Sequence, residues 1–252
     1  MPWHGPDGRR LYYEDTGRGD AVVLMPGWAG NIIELSPLRA ALTPGFRVVA
    51  VDLPGSGRSG PQPRCYEASY YHDDALAILG LLDVLGISAA HLAGFSDGGE
   101  EALVMAELRP GLALSVFTWG AIGKIDTTAE KLVALENVID QPTTDLAPLA
   151  AYLASTYNPD SARIMTRTWA QAMREIAAAG GDISRNSAQL IRCAALLVAG
   201  TYDSHCSPEL TREMAALIPR GRFLEAQGAG HQVHVSHGDW LARQLTRWLA
   251  EH

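Results

Sequence analysis

Ala89-Ala90-His91-Leu92-Ala93-Gly94-Phe95-Ser96-Asp97-Gly98-Gly99, followed by Glu100 to Arg109 and then Pro110, is the stretch whose reading decides the fold. The apolar run at 89–93 predicts a short buried strand. The Ala-, Leu- and Glu-rich run at 100–109 predicts a helix that Pro110 cannot extend. Between them lies Gly-x-Ser-x-Gly, and a strand-turn-helix around that pattern holds its serine on a strained turn with the hydroxyl exposed. Such a turn brings backbone against backbone, and Gly94 and Gly98 carry no side chain to block the approach. The helix behind Ser96 would aim its first N–H groups at the point where an oxyanion develops. The pentapeptide also occurs in ordinary glycine-rich loops, so the rest of the chain has to supply a base, an acid and an oxyanion donor.

Composition narrows the function classes. A chain of 252 residues fits one α/β domain, or one carrying a small insertion. Apolar residues make up 47% and charged residues 19%, which suits a globular protein and not a disordered one. The formal charge of −8, with no Lys/Arg cluster, argues against nucleic acid as a partner. The segment Met1 to Gly8 lacks the basic-then-apolar pattern of a signal peptide, and no apolar run reaches bilayer length. Cys65, Cys193 and Cys206 are odd in number and lack metal-type spacing, so they read as reduced thiols, with Cys206 a neighbour of the site. The expectation is a cytoplasmic protein acting on a small molecule without membrane, cofactor or metal; the oligomeric state is left open.

Working outward, strands are expected at Arg9 to Glu14 (after an Asp7-Gly8 turn), Ala21 to Met25, Arg47 to Val51, Leu112 to Thr118, Ala194 to Ala199 and Arg222 to Ala226. Helices are expected at Ser36 to Leu42, Tyr70 to Leu85 with Gly86 as its stop, Glu209 to Leu217 and Gly238 to His252. Strands alternating with helices imply a mainly parallel sheet covered on both faces, with ligands at the carboxyl ends of the strands. From 123 to 189 the strand rhythm stops, and helices are expected at Thr128 to Ile139, Asp145 to Ala154 and Asp160 to Ala179. This divides the chain into a core of 1–122 with 190–252 and a helical insertion of 123–189. The insertion reads as a lid over the site, or as a plain helical packing region.

Serine needs a base, and the base needs an orienting carboxylate. His231 follows a Gly-Ala-Gly turn after the last expected strand, and Asp203 lies in Gly200-Thr201-Tyr202-Asp203 after the strand before it. The order Ser96, Asp203, His231 agrees with a known triad order. After the strand at 112–118 the chain has Trp119-Gly120-Ala121, so no carboxylate competes there. The bland alternative for Asp203 is a turn or capping residue. His234 and His237 follow His231 at three-residue intervals, but no Asp, Glu or Cys completes a metal set, and both read as leading into the last helix. The oxyanion donors expected are the N–H groups of Asp97, next after the serine, and Trp28, in the loop after Met25.

With these residues in place, the sequence resembles the α/β-hydrolase superfamily over nearly its whole length. Asp52-Leu53-Pro54-Gly55-Ser56-Gly57-Arg58-Ser59 looks like its D-x-x-G-x-G-x-S loop, Gly94 to Gly99 like its serine turn, and Gly200 to Asp203 and Gly230-His231 like its acid and histidine segments. Within the superfamily it resembles the valacyclovir hydrolase, or biphenyl hydrolase-like, group through Pro26-Gly27, Ser96-Asp97-Gly98-Gly99 and Trp119-Gly120-Ala121. The resemblance implies an α/β-hydrolase fold and a serine hydrolase of small carboxylic esters. It further implies that Asp97 binds the ammonium of an α-amino acid ester; Trp28 and Trp119 are also expected beside the substrate. A carboxylate that only satisfies local donors is the alternative for Asp97. The segment Asp203-Ser204-His205-Cys206-Ser207-Pro208 departs from the group's Asp-x-x-x-Pro, with His205 unusual beside the acid. The superfamily also contains biosynthetic thioesterases, cyclases and lyases, and a non-catalytic small-ligand receptor is a third alternative.

Overall fold

The computed structural model describes residues 3–4 and 10–252. Its main sheet has seven strands: β3 (Tyr13–Gly17), β4 (Ala21–Met25), β5 (Arg47–Val51), β6 (Ala90–Phe95), β7 (Ala113–Trp119), β8 (Ala194–Gly200) and β9 (Gly221–Ala226). Their spatial order is β3-β5-β4-β6-β7-β8-β9, with β3 antiparallel to β5 and every other neighbour parallel. A separate two-stranded ribbon pairs β1 (Trp3–His4) with β2 (Arg10–Leu11).

Alternation along the buried strands divides the core into two layers. Val23 and Met25 of β4 face one side, where they join α2 (Tyr70–Val84), α3 (Asp97–Leu108) and α7 (Pro208–Leu217). Val22 and Leu24 face the other, against α1 (Ser36–Leu42) and α9 (Gly238–Ala250). Period-2 side chains on a sheet covered twice favour apolar residues at every position, which is why β4 and β8 read as unbroken apolar runs; in β6 the buried His91 interrupts the run, with its Nδ1 2.8 Å from Ser115 Oγ. On α9 the buried Leu241, Leu245, Trp248 and Leu249 form the single stripe expected of a helix with one face in water. Each such large apolar side chain, fully buried, contributes about 1.5–3 kcal/mol.

Most expected elements lie within a few residues of their places, and the differences have local causes. The strand expected at Arg9 to Glu14 is broken, and Arg9 and the Asp7-Gly8 turn lie outside the described residues. At the break, the Tyr12 N–H donates to Ser59 Oγ (2.8 Å) and its carbonyl accepts from the Asp52 N–H (2.9 Å). The chain therefore leaves one ladder and joins another. The helix after Ser96 starts three residues early, at Asp97. His234 does not lead into the last helix: it sits on a separate turn, α8 (Val233–Ser236), and His237 occupies the N-cap of α9.

Between β7 and β8 the chain forms α4 (Ala129–Glu136), α5 (Ala147–Tyr157) and α6 (Pro159–Ala178). Thr128 and Asn158 cap α4 and α6 by accepting from the N–H groups of Lys131 and Ser161. These helices share a third apolar cluster with Ala29 and Tyr66 from the loops after β4 and β5 and with Tyr70 and Tyr71 from the first turn of α2. These three helices thus pack over the carboxyl ends of β4 and β5. No described helix is long and apolar enough to cross a membrane.

Candidate active site

Ser96 sits between β6 and α3 with φ 51° and ψ −117°, a left-handed conformation that a side-chain-bearing residue adopts at a cost. The surroundings hold it there. Its N–H donates to the Trp119 carbonyl (2.9 Å), and its carbonyl accepts from the N–H groups of Gly99 (2.8 Å) and Glu100 (2.9 Å). A Cβ on Gly94 would lie 2.1 Å from the Gly98 carbonyl oxygen, and one on Gly98 would lie 2.4 Å from that of Pro26. Only glycine permits that crossing.

The imidazole of His231 lies between two partners. Its Nε2 is 3.1 Å from Ser96 Oγ, and its Nδ1 is 2.9 Å from Asp203 Oδ2. The second oxygen of Asp203 accepts from the N–H groups of His205 (2.9 Å) and Cys206 (2.8 Å). Burial pushes this carboxyl up, but the bonds from His231 and the two N–H groups outweigh it and hold the group below the ordinary carboxylate range. An acid so held stays ionised and fixes Nδ1 as the protonated nitrogen, leaving Nε2 free to accept from Ser96. The acid and histidine loops are locked together: a Cβ on Gly200 would meet the Gly230 carbonyl at 2.3 Å, and the Tyr202 N–H donates to the Ala229 carbonyl (2.8 Å).

The loop after β4 reaches the serine turn through the Gly98 N–H, which donates to the Pro26 carbonyl (3.1 Å). Asp97 is the first residue of α3, so its N–H has no intrahelical acceptor. The Trp28 indole packs on that of Trp169 from α6, with ring centroids 4.8 Å apart. Both indole Nε1 atoms are buried and without a hydrogen-bond partner among the described residues.

The Asp97 carboxylate turns away from local backbone donors. Tyr70 Oη donates to its Oδ2 (3.0 Å) and Tyr71 Oη to its Oδ1 (3.2 Å). Burial raises this group to about 6 even so. Arg64 lies nearby, ion-paired with Asp74 and stacked 4.2 Å over the Tyr66 ring. Glu101 is fully buried in the same group, and burial pushes its carboxyl well above the usual range. Glu100 accepts from the N–H groups of Ile122 (2.7 Å) and Gly123 (3.0 Å), and burial lifts it to about 8.

Trp119 differs from expectation. Its side chain is 0% exposed, stacked on Phe95, and its Nε1 donates to His234 Nδ1 (3.0 Å). It backs the site from the apolar layer and does not line an opening to substrate. Burial, then the neighbouring His231, lowers His234 to about 4, so its ring stays neutral and accepts. Cys206 Sγ donates to the Gly120 carbonyl (3.0 Å), which makes it a neighbour of the site, since Gly120 abuts the His231 ring. Among the described residues no group of three or more His, Cys, Asp or Glu side chains is arranged to hold a metal ion. Sequence reading missed Tyr70 and Tyr71, whose meeting with Asp97 across 26 or 27 residues leaves no spacing signal.

A mostly parallel sheet with a serine on a left-handed turn at the end of its central strand, and helices on both faces, defines an α/β hydrolase. The chain belongs to the alpha/beta hydrolase fold family, whose model matches residues 20–238. It is 30% identical over 243 residues to "Serine hydrolase BPHL" of Homo sapiens, covering 92% of this chain and 80% of that one. This agrees with the biphenyl hydrolase-like resemblance carried by the sequence motifs. A second relative, "2-hydroxy-6-oxononadienedioate/2-hydroxy-6-oxononatrienedioate hydrolase 2" of Pseudomonas putida, is 32% identical over 54% of this chain and 50% of its own. Among solved structures, the enol-lactonase from Burkholderia xenovorans LB400 superposes with a TM-score of 0.80 at 22% identity, covering 97% of this chain and 98% of that one.

Proposed function

We propose that this hydrolase cleaves small carboxylic esters through an acyl-enzyme on Ser96, with His231 as base and Asp203 as its orienting acid. The observation that carries the reading is the continuous line Asp203 Oδ2, His231 Nδ1, His231 Nε2, Ser96 Oγ, with separations of 2.9 and 3.1 Å. Ser96 Oγ attacks the carbonyl carbon while its proton passes to Nε2. The resulting oxyanion accepts from the N–H groups of Trp28 and Asp97. Collapse expels the alcohol, which takes the proton from Nε2; water then repeats the sequence and releases the acid. The insertion at 123–189 serves as a lid, since its helices share an apolar cluster with the loops around Ser96 and it brings Trp169 against Trp28.

Asp97 is the proposed receptor for a substrate ammonium. Arg64 is ion-paired with Asp74 and also attracts the carboxylate at 97, so one cation faces two buried carboxylates and the group is left short of positive charge. A cation beside Ser96 would neutralise it where water cannot. The test of the central reading is labelling with a fluorophosphonate together with turnover of a p-nitrophenyl ester. Wild-type protein should do both, and Ser96→Ala neither; ester turnover that survives the substitution refutes the assignment.

A further inference from the structure

The residues Gly27 to Gly30 form a tight turn closed by the Gly30 N–H on the Gly27 carbonyl (3.0 Å). Trp28 and Ala29 occupy its corners. Ala29 has φ 54°, while Trp28 is not left-handed, which is the sign pattern of a type II turn. That third position favours glycine or asparagine, and alanine there stores strain unless neighbours over-determine the conformation. The neighbour that does so comes from the lid. Tyr157, the last residue of α5, donates through Oη to the Ala29 carbonyl (2.7 Å) and accepts from the Gly57 N–H (2.9 Å). Tyr157 is 5% exposed, so both bonds are sheltered from water. Tyr152, one turn earlier, brings its hydroxyl to 3.1 Å from the same carbonyl and 2.8 Å from Glu34 Oε1, and it accepts from Asn31 Nδ2 (3.3 Å). Its single proton can serve only one of the two acceptors, which leaves Tyr157 as the steady donor to Ala29.

We infer that Tyr157 is a positioning residue for the oxyanion hole: its hydroxyl, clamped between the loops after β4 and β5, holds the strained Ala29 turn that carries the Trp28 N–H. The inference rests on the serine-nucleophile reading above and extends it, because the lid then prepares the transition-state contacts as well as covering the substrate. A donor that only stabilises the oxyanion acts on the tetrahedral state and not on substrate or product affinity.

The test compares wild type, Tyr157→Phe, and Tyr157→Phe combined with Ala29→Gly. The phenylalanine keeps the ring in its apolar cluster and removes only the hydroxyl. Tyr157→Phe should lower kcat on a p-nitrophenyl ester about 10- to 100-fold with KM within about twofold. Affinity for a trifluoromethyl ketone, which adds to Ser96 as a tetrahedral hemiketal, should fall by a similar factor, while affinity for the product acid should not. Glycine adopts the left-handed turn without strain, so adding Ala29→Gly should recover most of the lost kcat. Unchanged kcat in Tyr157→Phe, equal losses of ketone and product affinity, or no recovery in the double variant would each overturn the inference while leaving Ser96 as the nucleophile. Wild-type protein that neither turns over the ester nor takes the fluorophosphonate would overturn both.

Discussion

Gly120 abuts the imidazole of His231: a Cβ built on Gly120 would lie 2.7 Å from Cε1 and 3.1 Å from Nδ1 of that ring. Gly120 also has φ 75° and anchors its N–H on the Val198 carbonyl (3.1 Å). The ring is therefore set by a hydrogen bond at each nitrogen and by a bare backbone behind it. Gly120→Ala should push the ring off the Ser96–Asp203 line and lower kcat about 100-fold, the scale of an ångström-sized misplacement. Steady-state kinetics beside a thermal unfolding curve checks this: loss of kcat in proportion to loss of folded protein would refute a local effect.

The Asp203 carboxylate is expected to act through orientation, not as a proton acceptor. Asp203→Asn would offer an amide where Nδ1–H needs an acceptor, favouring the wrong tautomer, with a loss of kcat of about 10⁴-fold. Fluorophosphonate labelling rates give the same quantity without a substrate. A variant within tenfold of wild type in both measurements would remove Asp203 from the proposed role.

For the charge next to the serine, Asp97→Asn retains the backbone N–H and removes the anion. KM for an α-amino acid ester should rise about 10- to 100-fold, the worth of a hydrogen bond to a charged group, while that for the des-amino ester changes little. Because the Asp97 carboxyl is raised to about 6, acidification through that pH protonates it. The ratio of kcat/KM for the two esters should therefore fall below pH of about 6 in wild type and stay flat in the variant. Parallel pH profiles for both esters in wild type would rule out the ammonium contact.

His234 makes a prediction about stability. Its folded-state value of about 4 lies below the ordinary value of about 6.5, so between these the unfolded chain binds a proton that the folded one does not. The contribution is present above pH of about 6.5 and is lost as pH falls toward 4, by an amount on the order of 3 kcal/mol. His234→Phe leaves the Trp119 N–H without its acceptor and should cost about 1–3 kcal/mol at pH 7. That deficit should shrink at pH 4.5, where wild type has been weakened and the variant has not. Urea unfolding at both pH values decides, and a deficit that is constant or grows on acidification would count against a neutral, accepting ring.

Much of this was legible before any fold was known, because local chemistry wrote it. The run at 89–93 had to be a buried strand, and Gly94 and Gly98 anticipated a crossing so close that a Cβ would sit 2.1 Å from a carbonyl oxygen. Trp119 shows where local reading stops. It was expected beside the substrate, but it is the last residue of β7, where a strand's alternating faces decide inside from outside, and Trp119 faces the buried layer toward His234. Tyr70 and Tyr71 carry no motif, and they matter only because α2 packs against α3.

By itself the sequence determined the parallel sheet, the strained serine turn and the order in which serine, acid and histidine follow along the chain, since each depends on neighbours a few residues away. Tertiary structure alone decided which way Asp97 points, that Trp119 is walled in, that Gly120 must be bare and that a tyrosine 128 positions away reaches the Ala29 carbonyl. These depend on side chains and backbone from remote segments competing for the same few ångströms, and no local pattern encodes the outcome of that competition.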